Sequence, residues 1–563
     1  MNLLGQSKIT VSIQPTDVSS LPADVSSSFL VKTKFEVHVK LRKFLKSLQQ
    51  DGYLSASIDS VFEDSLQQTA YLYLGDKYDW VSLNTDSVDE EILSRTGFRD
   101  KQFLDNPFNP RQINSFFNKA LTYLENNGYP FAQIKLGHIL MDNNHISASV
   151  ILTKNKFYAV DSIQIIGEPI RLNKHYVENS IRLQSKMPYN EKLIQNIGRR
   201  ISEDPFMKEL KPFEVIFTEN TCKIVLILGP QKANLFDGII GFQPQENNSK
   251  MILTGDVKIS LGNIVGQGER LNLQWQRLKN ETQQINMSLS VPYLFKTPIG
   301  FSYHLDIYRR DSTFNNVNHS FTIPFKLNNG TEFLGYLKNF STSLISTDAY
   351  QNSTEIPPYN DAKSLSYGVG FSSFKVENKF NPYKGWTIEL SGGAGTNTII
   401  KNTALENVNY DSIPLESSSL EGTLRAQYFQ PVTAQTTLLF RINSAFKNSA
   451  NLVDNQLYRI GGLSTMRGLD EQSVFASSYG VATIEYRLLF DENSRISLFY
   501  DQGWYEQSTL TKFSTDTPYA FGAGLTFGTK VGLFSLNYAL GSQFGNPINF
   551  KTGKIHFGFV NFF

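Results

Sequence analysis

Three charged residues carry most of the chemistry this sequence could do. Arg467 stands among small residues in the run GGLSTMRGL, residues 461–469, and the acids Glu485 and Asp501 follow it. Downstream of the arginine, Ala482, Ile484, Tyr486 and Leu488 alternate with Thr483, Glu485, Arg487 and Leu489, which predicts a strand with an apolar face and Glu485 on the opposite one. In the next segment Ile496, Leu498 and Tyr500 oppose Arg495, Ser497, Phe499 and Asp501, so Asp501 shares its side with Glu485. An arginine facing two carboxylates of equal strand parity makes an ion-pair latch. Residue types for catalysis are gathered nowhere else. No serine sits in a G-x-S-x-G elbow, and Cys222 has no evident histidine base. The seven histidines (His38, His138, His145, His175, His304, His319, His556) lack metal-ligand spacing, so no catalytic residue, metal or cofactor is expected. Residues 263–268, NIVGQG, could pass for a phosphate-cradling loop, but an alternating segment follows them where such a loop needs a helix, and a hairpin turn is predicted.

The elements that must position the latch read differently in the two halves of the chain. A length of 563 residues exceeds one compact core, so at least two domains are expected. A net charge of +1 gives no electrostatic reason to bind nucleic acid, and the single Cys222 excludes an internal disulfide. Mean hydropathy is −0.27 and no apolar run approaches the roughly 18 residues of a spanning helix. That test does not reach membrane barrels, where only every second residue meets lipid, and 42 Phe with 26 Tyr suit a barrel's outer belts. The opening residues, MNLLGQSKITVSIQ, lack a basic stretch followed by a long apolar one, so an export signal is expected to have been removed or to lie upstream of this numbering.

From Asn234 onward about sixteen alternating segments of bilayer-crossing length follow one another. Clear ones are Leu271 to Leu278, Gln284 to Val291, Ile299 to Tyr308, Trp386 to Gly392, Thr423 to Phe429, Thr437 to Phe446 and Tyr519 to Phe527. The expected architecture is a transmembrane β-barrel over 233–563. Its first strand, Leu235 to Phe242, carries Gly238 and Gly241 and meets Pro244, while its last, Lys554 to Phe563, puts Ile555, Phe557, Phe559 and Phe563 on one face, with Gly558 opposite and Asn561 interrupting. Glycine weakens a strand and proline cannot donate to a ladder, so the seam between first and last strands is predicted to be the weakest junction of the wall.

The N-terminal part repeats. Leu45, Leu48, Asp51-Gly52-Tyr53, Ala56 and Ile58 recur 76 residues later as Leu121, Leu124, Asn127-Gly128-Tyr129, Ala132 and Ile134. Each copy predicts a helix stopped at a glycine and an alternating strand, with a second strand closing the unit. A third unit opens with Ala159 to Ile166, passes through helices near Lys174 to Leu183 and Glu191 to Ile201, and ends with Phe213 to Phe217 and Cys222 to Leu228. Residues 15–30 are rich in Pro and Ser and make a poor first helix for the first unit.

Four motifs together resemble one family. Met466-Arg467-Gly468-Leu469 resembles the arginine-glycine-aromatic motif of the BamA/TamA superfamily of outer-membrane assembly and secretion barrels, with Leu469 where an aromatic is usual. Phe499-x-Asp501-x-Gly503 resembles its lumen-facing aspartate motif, residues 263–269 its early hairpin, and the terminal Phe563 the signal by which such barrels are recognised for insertion. The N-terminal units resemble the family's polypeptide-transport-associated (POTRA) domains, which implies α+β domains at 1–75, 76–156 and 157–232 in the periplasm. Three such units look most like the TamA branch.

What the resemblance implies is insertion or assembly of proteins in the bacterial outer membrane. Unfolded clients would join a POTRA sheet edge by strand addition, a periplasmic partner protein would be possible, and Arg467 threaded into the lumen would hold Glu485 and Asp501. Three rival readings are a two-partner transporter passing one dedicated protein through the lumen, a passive pore, and a soluble all-β binding protein.

Overall fold

In the computed structural model, which describes all residues except 1–8, 19–20, 22–26, 64–66, 246–247, 278–281, 296, 328–329, 379–380, 464, 492, 530–531, 549–552 and 561–563 and the side chains of 239–254, 532 and 557–560, short mixed sheets precede one very large antiparallel sheet. Contacts divide the chain into two compact units: 1–165, 183–198 and 212–226 in one, and 166–182, 199–211 and 227–563 in the other.

The first sheet has four strands in the order Ser28–Val31, Ile9–Pro15, Gln67–Tyr73, Ser57–Glu63. Its helix, Lys34–Gln50, begins where the Thr33 side chain accepts from the Glu36 amide, and buries Val37 and Leu41 with Val11, Val31 and Ala70. Ser28–Val31 forms the edge strand beside Ile9–Pro15, and most of residues 16–27 between the two lie outside the described residues. The second sheet, Asp79–Asn84, His145–Thr153, Gln133–Asp142, packs on helices Glu90–Thr96 and Pro110–Glu125 around a fully buried Trp80. The repeated Gly52 and Gly128 follow their helices with φ of 102° and 95°. The third sheet runs Ala159–Gly167, Thr221–Pro230, Met207–Phe217. Its helical stretch is split into Glu191–Gln195 and Ile197–Glu203, with the Asn190 side chain capping the first at the Leu193 amide.

Among the described residues the large sheet contains seventeen strands, from Leu235–Gln245 to Lys554–Val560. Ser494–Ser508 is flanked along one edge by two strands in succession, Phe513–Asp516 and Tyr519–Thr529, so the wall has sixteen positions. Alternation explains the sheet. Ile484, Tyr486, Leu488, Ile496, Leu498 and Tyr500 are exposed on the outside while Val481, Thr483, Glu485, Phe499 and Asp501 are buried inside. Several middle strands, such as Glu416–Thr433 and Gly385–Ile399, are longer than the alternation alone suggested, because pairing continues beyond the apolar band.

Closure of the sheet into a barrel is evident from the segment between Thr436–Ser449 and Ser478–Asp491. It reaches Gln284 near one end of the sheet (Gln472 Nε2 to Gln284 Oε1, 3.3 Å) and Lys554 in the last strand (Nζ to Asp470 Oδ1, 2.7 Å). On the way it touches Tyr308, Asn316 and Asn397, so the wall curls around it. The first strand extends through Pro244 to Gln245, past the end expected for it, and proline is tolerated because this is an edge of the sheet. Among the described residues no ladder joins the first and last strands.

Candidate functional site: the lumen loop and its latch

The loop that enters the lumen has a short stem, Tyr458–Ile460 paired with Val474–Ala476. Its tip is folded by its own polar contacts: the Gly461 amide donates to Thr465 Oγ1 (2.7 Å), which donates back to the Gly461 carbonyl (3.0 Å). The following turn presents Arg467, only 4% exposed, to the inner wall. Its Nε and Nη2 donate to Asp501 Oδ2 and Oδ1 (2.8 and 2.7 Å) and its Nη1 donates to Glu485 Oε2 (2.7 Å). The guanidinium lies over the Phe499 ring, 3.4 Å from its centroid, adding a cation–π contact to a bidentate pair.

The neighbouring motif residues make room for this geometry. Gly468 has φ of 85°, and a Cβ there would come within 2.8 Å of Ala520 Cβ and 2.9 Å of the Gly541 amide nitrogen. Gly503 leaves the space that the Met466 thioether fills. Met466 and Leu469 are both buried, packed with Tyr505, Ala520 and Val481, so the leucine at the aromatic position lies in an apolar pocket of the wall.

The latch also contains residues that the motifs did not single out. Glu485 accepts from Arg487 Nε (2.8 Å), Asp501 accepts from Thr483 Oγ1 (2.7 Å), and Arg441 donates to the same threonine (3.0 Å). Thr483 and Arg487 share Glu485's parity, and the alternation had already placed them on its face. Arg441 lies across the sheet, opposite Thr483 in register, which only the strand pairing reveals.

Above the latch, a buried amide network caps the barrel on the side away from its short turns. Asn455 Nδ2 donates to Thr342 Oγ1 (2.7 Å) and the Asn360 carbonyl (2.9 Å), and Asn316 Nδ2 donates to the Asn455 carbonyl (2.7 Å). Asn397 and Gln456 exchange hydrogen bonds of 3.2 and 2.6 Å. Loop residues Leu405, Val408, Tyr410 and Val453 form a small core beside it. Asn316 and Asn397 lie in strands and Asn360 and Asn455 in connections, so their spacing gave no periodic signal.

At the opposite rim, residues 263–269 form a turn braced by Glu269, whose carboxylate accepts from the Val265 and Gln267 amides (2.6 and 3.0 Å). Gly268 faces the Tyr176 ring so closely that a Cβ would sit 1.9 Å from it. Burial and the adjacent Asp204 carboxylate, which accepts from the Tyr176 hydroxyl at 2.9 Å, push that phenol well above its usual range. Gly238 and Gly241 lie in the edge strand Leu235–Gln245, and Phe557, Gly558 and Phe559 lie in Lys554–Val560. Phe563 is outside the described residues. Among the described residues no group of His, Cys, Asp and Glu is placed to hold a metal.

A sixteen-position β-barrel with a loop folded back into its lumen, preceded by α+β domains of the POTRA kind, defines an outer-membrane assembly and transport barrel in its class. The chain belongs to the Omp85 superfamily, whose domain profile matches residues 263–563, more than half of its length. It is similar in fold to CdiB from Acinetobacter baumannii (14% identity, 96% of this chain and 100% of that chain covered, TM-score 0.54) and CdiB from Escherichia coli (14% identity, 94% and 97% covered, TM-score 0.54). BamA from Haemophilus ducreyi lacking POTRA domains 1–3 matches more distantly (15% identity, 86% and 98% covered, TM-score 0.46). No curated protein matches the chain by sequence.

Proposed function

We propose that this protein inserts or assembles other proteins into the bacterial outer membrane, with residues 233–563 in the bilayer and the units at 1–75, 76–156 and 157–232 in the periplasm. The carrying observation is a contrast in the barrel. Its lumen is entered by a loop held through buried ion pairs and capped by buried amides, while the two edge strands of its wall lack a ladder among the described residues. A working surface at the wall suits insertion of a client strand into the membrane. A loop latched across the lumen beneath an amide cap does not suit free passage through the middle, which disfavours a passive pore. Clients in extended form would be received at exposed sheet edges such as Gln133–Asp142, where Leu140 and Met141 are exposed. Arg467 with Glu485 and Asp501 keeps the loop docked, and Phe499, Met466, Gly468, Leu469 and Gly503 shape its seat. Three N-terminal sheets support the TamA-like reading.

Depletion of the protein followed by an inventory of outer-membrane proteins tests this. Broad loss of barrel proteins is expected. Loss of one secreted protein alone would establish a dedicated two-partner transporter instead, and an unchanged inventory would reject both.

A further inference from the structure

The periplasmic rim holds a concavity that neither the latch nor client handling uses. A cavity of about 540 Å³ opens at the foot of the edge strand Leu235–Gln245, between Pro169 to Arg171, Phe206, Pro230 to Asn234, and Gly262 with Asn263. All of these residues belong to the same compact unit as the barrel. Its volume lies within the range of small-ligand sites, about 300–1,000 Å³. The two charged side chains of its lining, Arg171 and Lys232, are both cationic and exposed, and neither makes an ion pair among the described residues. The rest of the lining is mixed: Pro169, Ile170, Phe206 and Pro230 give it an apolar side, and Gln231, Asn234 and Asn263 a neutral polar one.

The floor is rigidly built. The Asn263 side-chain amide donates to the Arg171 carbonyl (3.0 Å), the Asn173 amide donates to the Gly266 carbonyl (2.7 Å), and the Gln231 amide donates to the Phe206 carbonyl (3.0 Å). Phe206 is also held beneath the Arg270 guanidinium, 5.6 Å from its ring centroid. The site therefore presents two unneutralised cations and an apolar wall where a membrane strand leaves the bilayer, and such basic pockets at a membrane surface attract anionic headgroups.

We propose that this pocket binds the headgroup of an anionic periplasmic-leaflet phospholipid, its phosphate between Arg171 and Lys232 and its glycerol end against Ile170 and Phe206. Bound lipid would sit at the base of the first strand of the wall. The inference rests on the membrane placement proposed above and is independent of what the protein inserts.

The test is native mass spectrometry of the full chain, first shown to insert into phosphatidylcholine vesicles, then titrated in detergent with phosphatidylglycerol or phosphatidylcholine. Failure to insert would count against the membrane placement itself and thereby overturn this inference with it. In the inserting protein, phosphatidylglycerol should be retained over phosphatidylcholine. Both residues are exposed, so R171Q and K232Q should fold, and each should weaken phosphatidylglycerol about fivefold, the factor for one cation near a membrane surface. K363Q, on the opposite end of the barrel, should leave it unchanged. Equal retention of both lipids, or a double variant within twofold of the parent, would overturn the proposal. Displacement of phosphatidylglycerol by millimolar inorganic phosphate would also overturn it, by assigning the site to a free anion.

Discussion

Replacing Arg467 by alanine is the sharpest perturbation of the latch. The change removes three charge-assisted hydrogen bonds at 2.7–2.8 Å and leaves Asp501, which has no solvent exposure, and Glu485, 5% exposed, without their shared cation. Breaking a buried pair from one side costs about 3–5 kcal/mol. The remaining contacts bring the estimate to the low end, because Glu485 keeps Arg487 and Asp501 keeps Thr483 with Arg441 3.8 Å away. A penalty of about 3 kcal/mol multiplies the undocked fraction of the loop by about 10². The assay is limited proteolysis of the folded barrel with subtilisin, reading cuts within residues 461–473 by mass. When reclosing is faster than cleavage, the rate follows the undocked population. The variant should be cut about 10² times faster at the tip, with the loop at 345–361 as internal control. A rate within threefold of the parent would mean that the guanidinium does not hold the loop, and the reading of the latch would fall.

Asp501→Asn should be costlier than Arg467→Ala, since it leaves Arg467, Arg441 and Arg487 facing Glu485 alone; its semi-native gel melting temperature should fall below that of the arginine variant. Asn455→Ala strips side-chain partners from the Thr342 hydroxyl and from the Asn360 carbonyl and amide, each buried group left bare costing about 1–3 kcal/mol, and should raise steady conductance in planar bilayers above a nearly closed parent. Gly268→Ala combines a left-handed φ of 71° with a clash against the Tyr176 ring, and should speed hydrogen exchange in residues 263–269 while the tip at 461–473 stays protected.

The barrel was legible because its rule is local. Period-two alternation put Glu485 and Asp501 on one side before any pairing was known, and the run around Arg467 stood out by its glycines. Strand ends were less legible, as Pro244 shows: whether proline ends a strand depends on which side of it a neighbour lies. Arg441 and Thr483 could not be joined to the latch without the register between their strands. The amide cap stayed hidden because Asn316, Asn360, Asn397 and Asn455 come from four separate segments and each looks like an ordinary loop or strand polar residue.

The loop is not tethered evenly around the ring. Toward the twelfth and thirteenth positions it is riveted by a buried arginine with three side-chain bonds, whereas across the seam it reaches the fourth position through one amide pair and the last through one partly exposed lysine. A radial load on the cylinder would therefore shed the weak spokes first. The girth could grow on the side of the opening strands while the hub stayed fastened to the opposite arc, so widening would be lopsided.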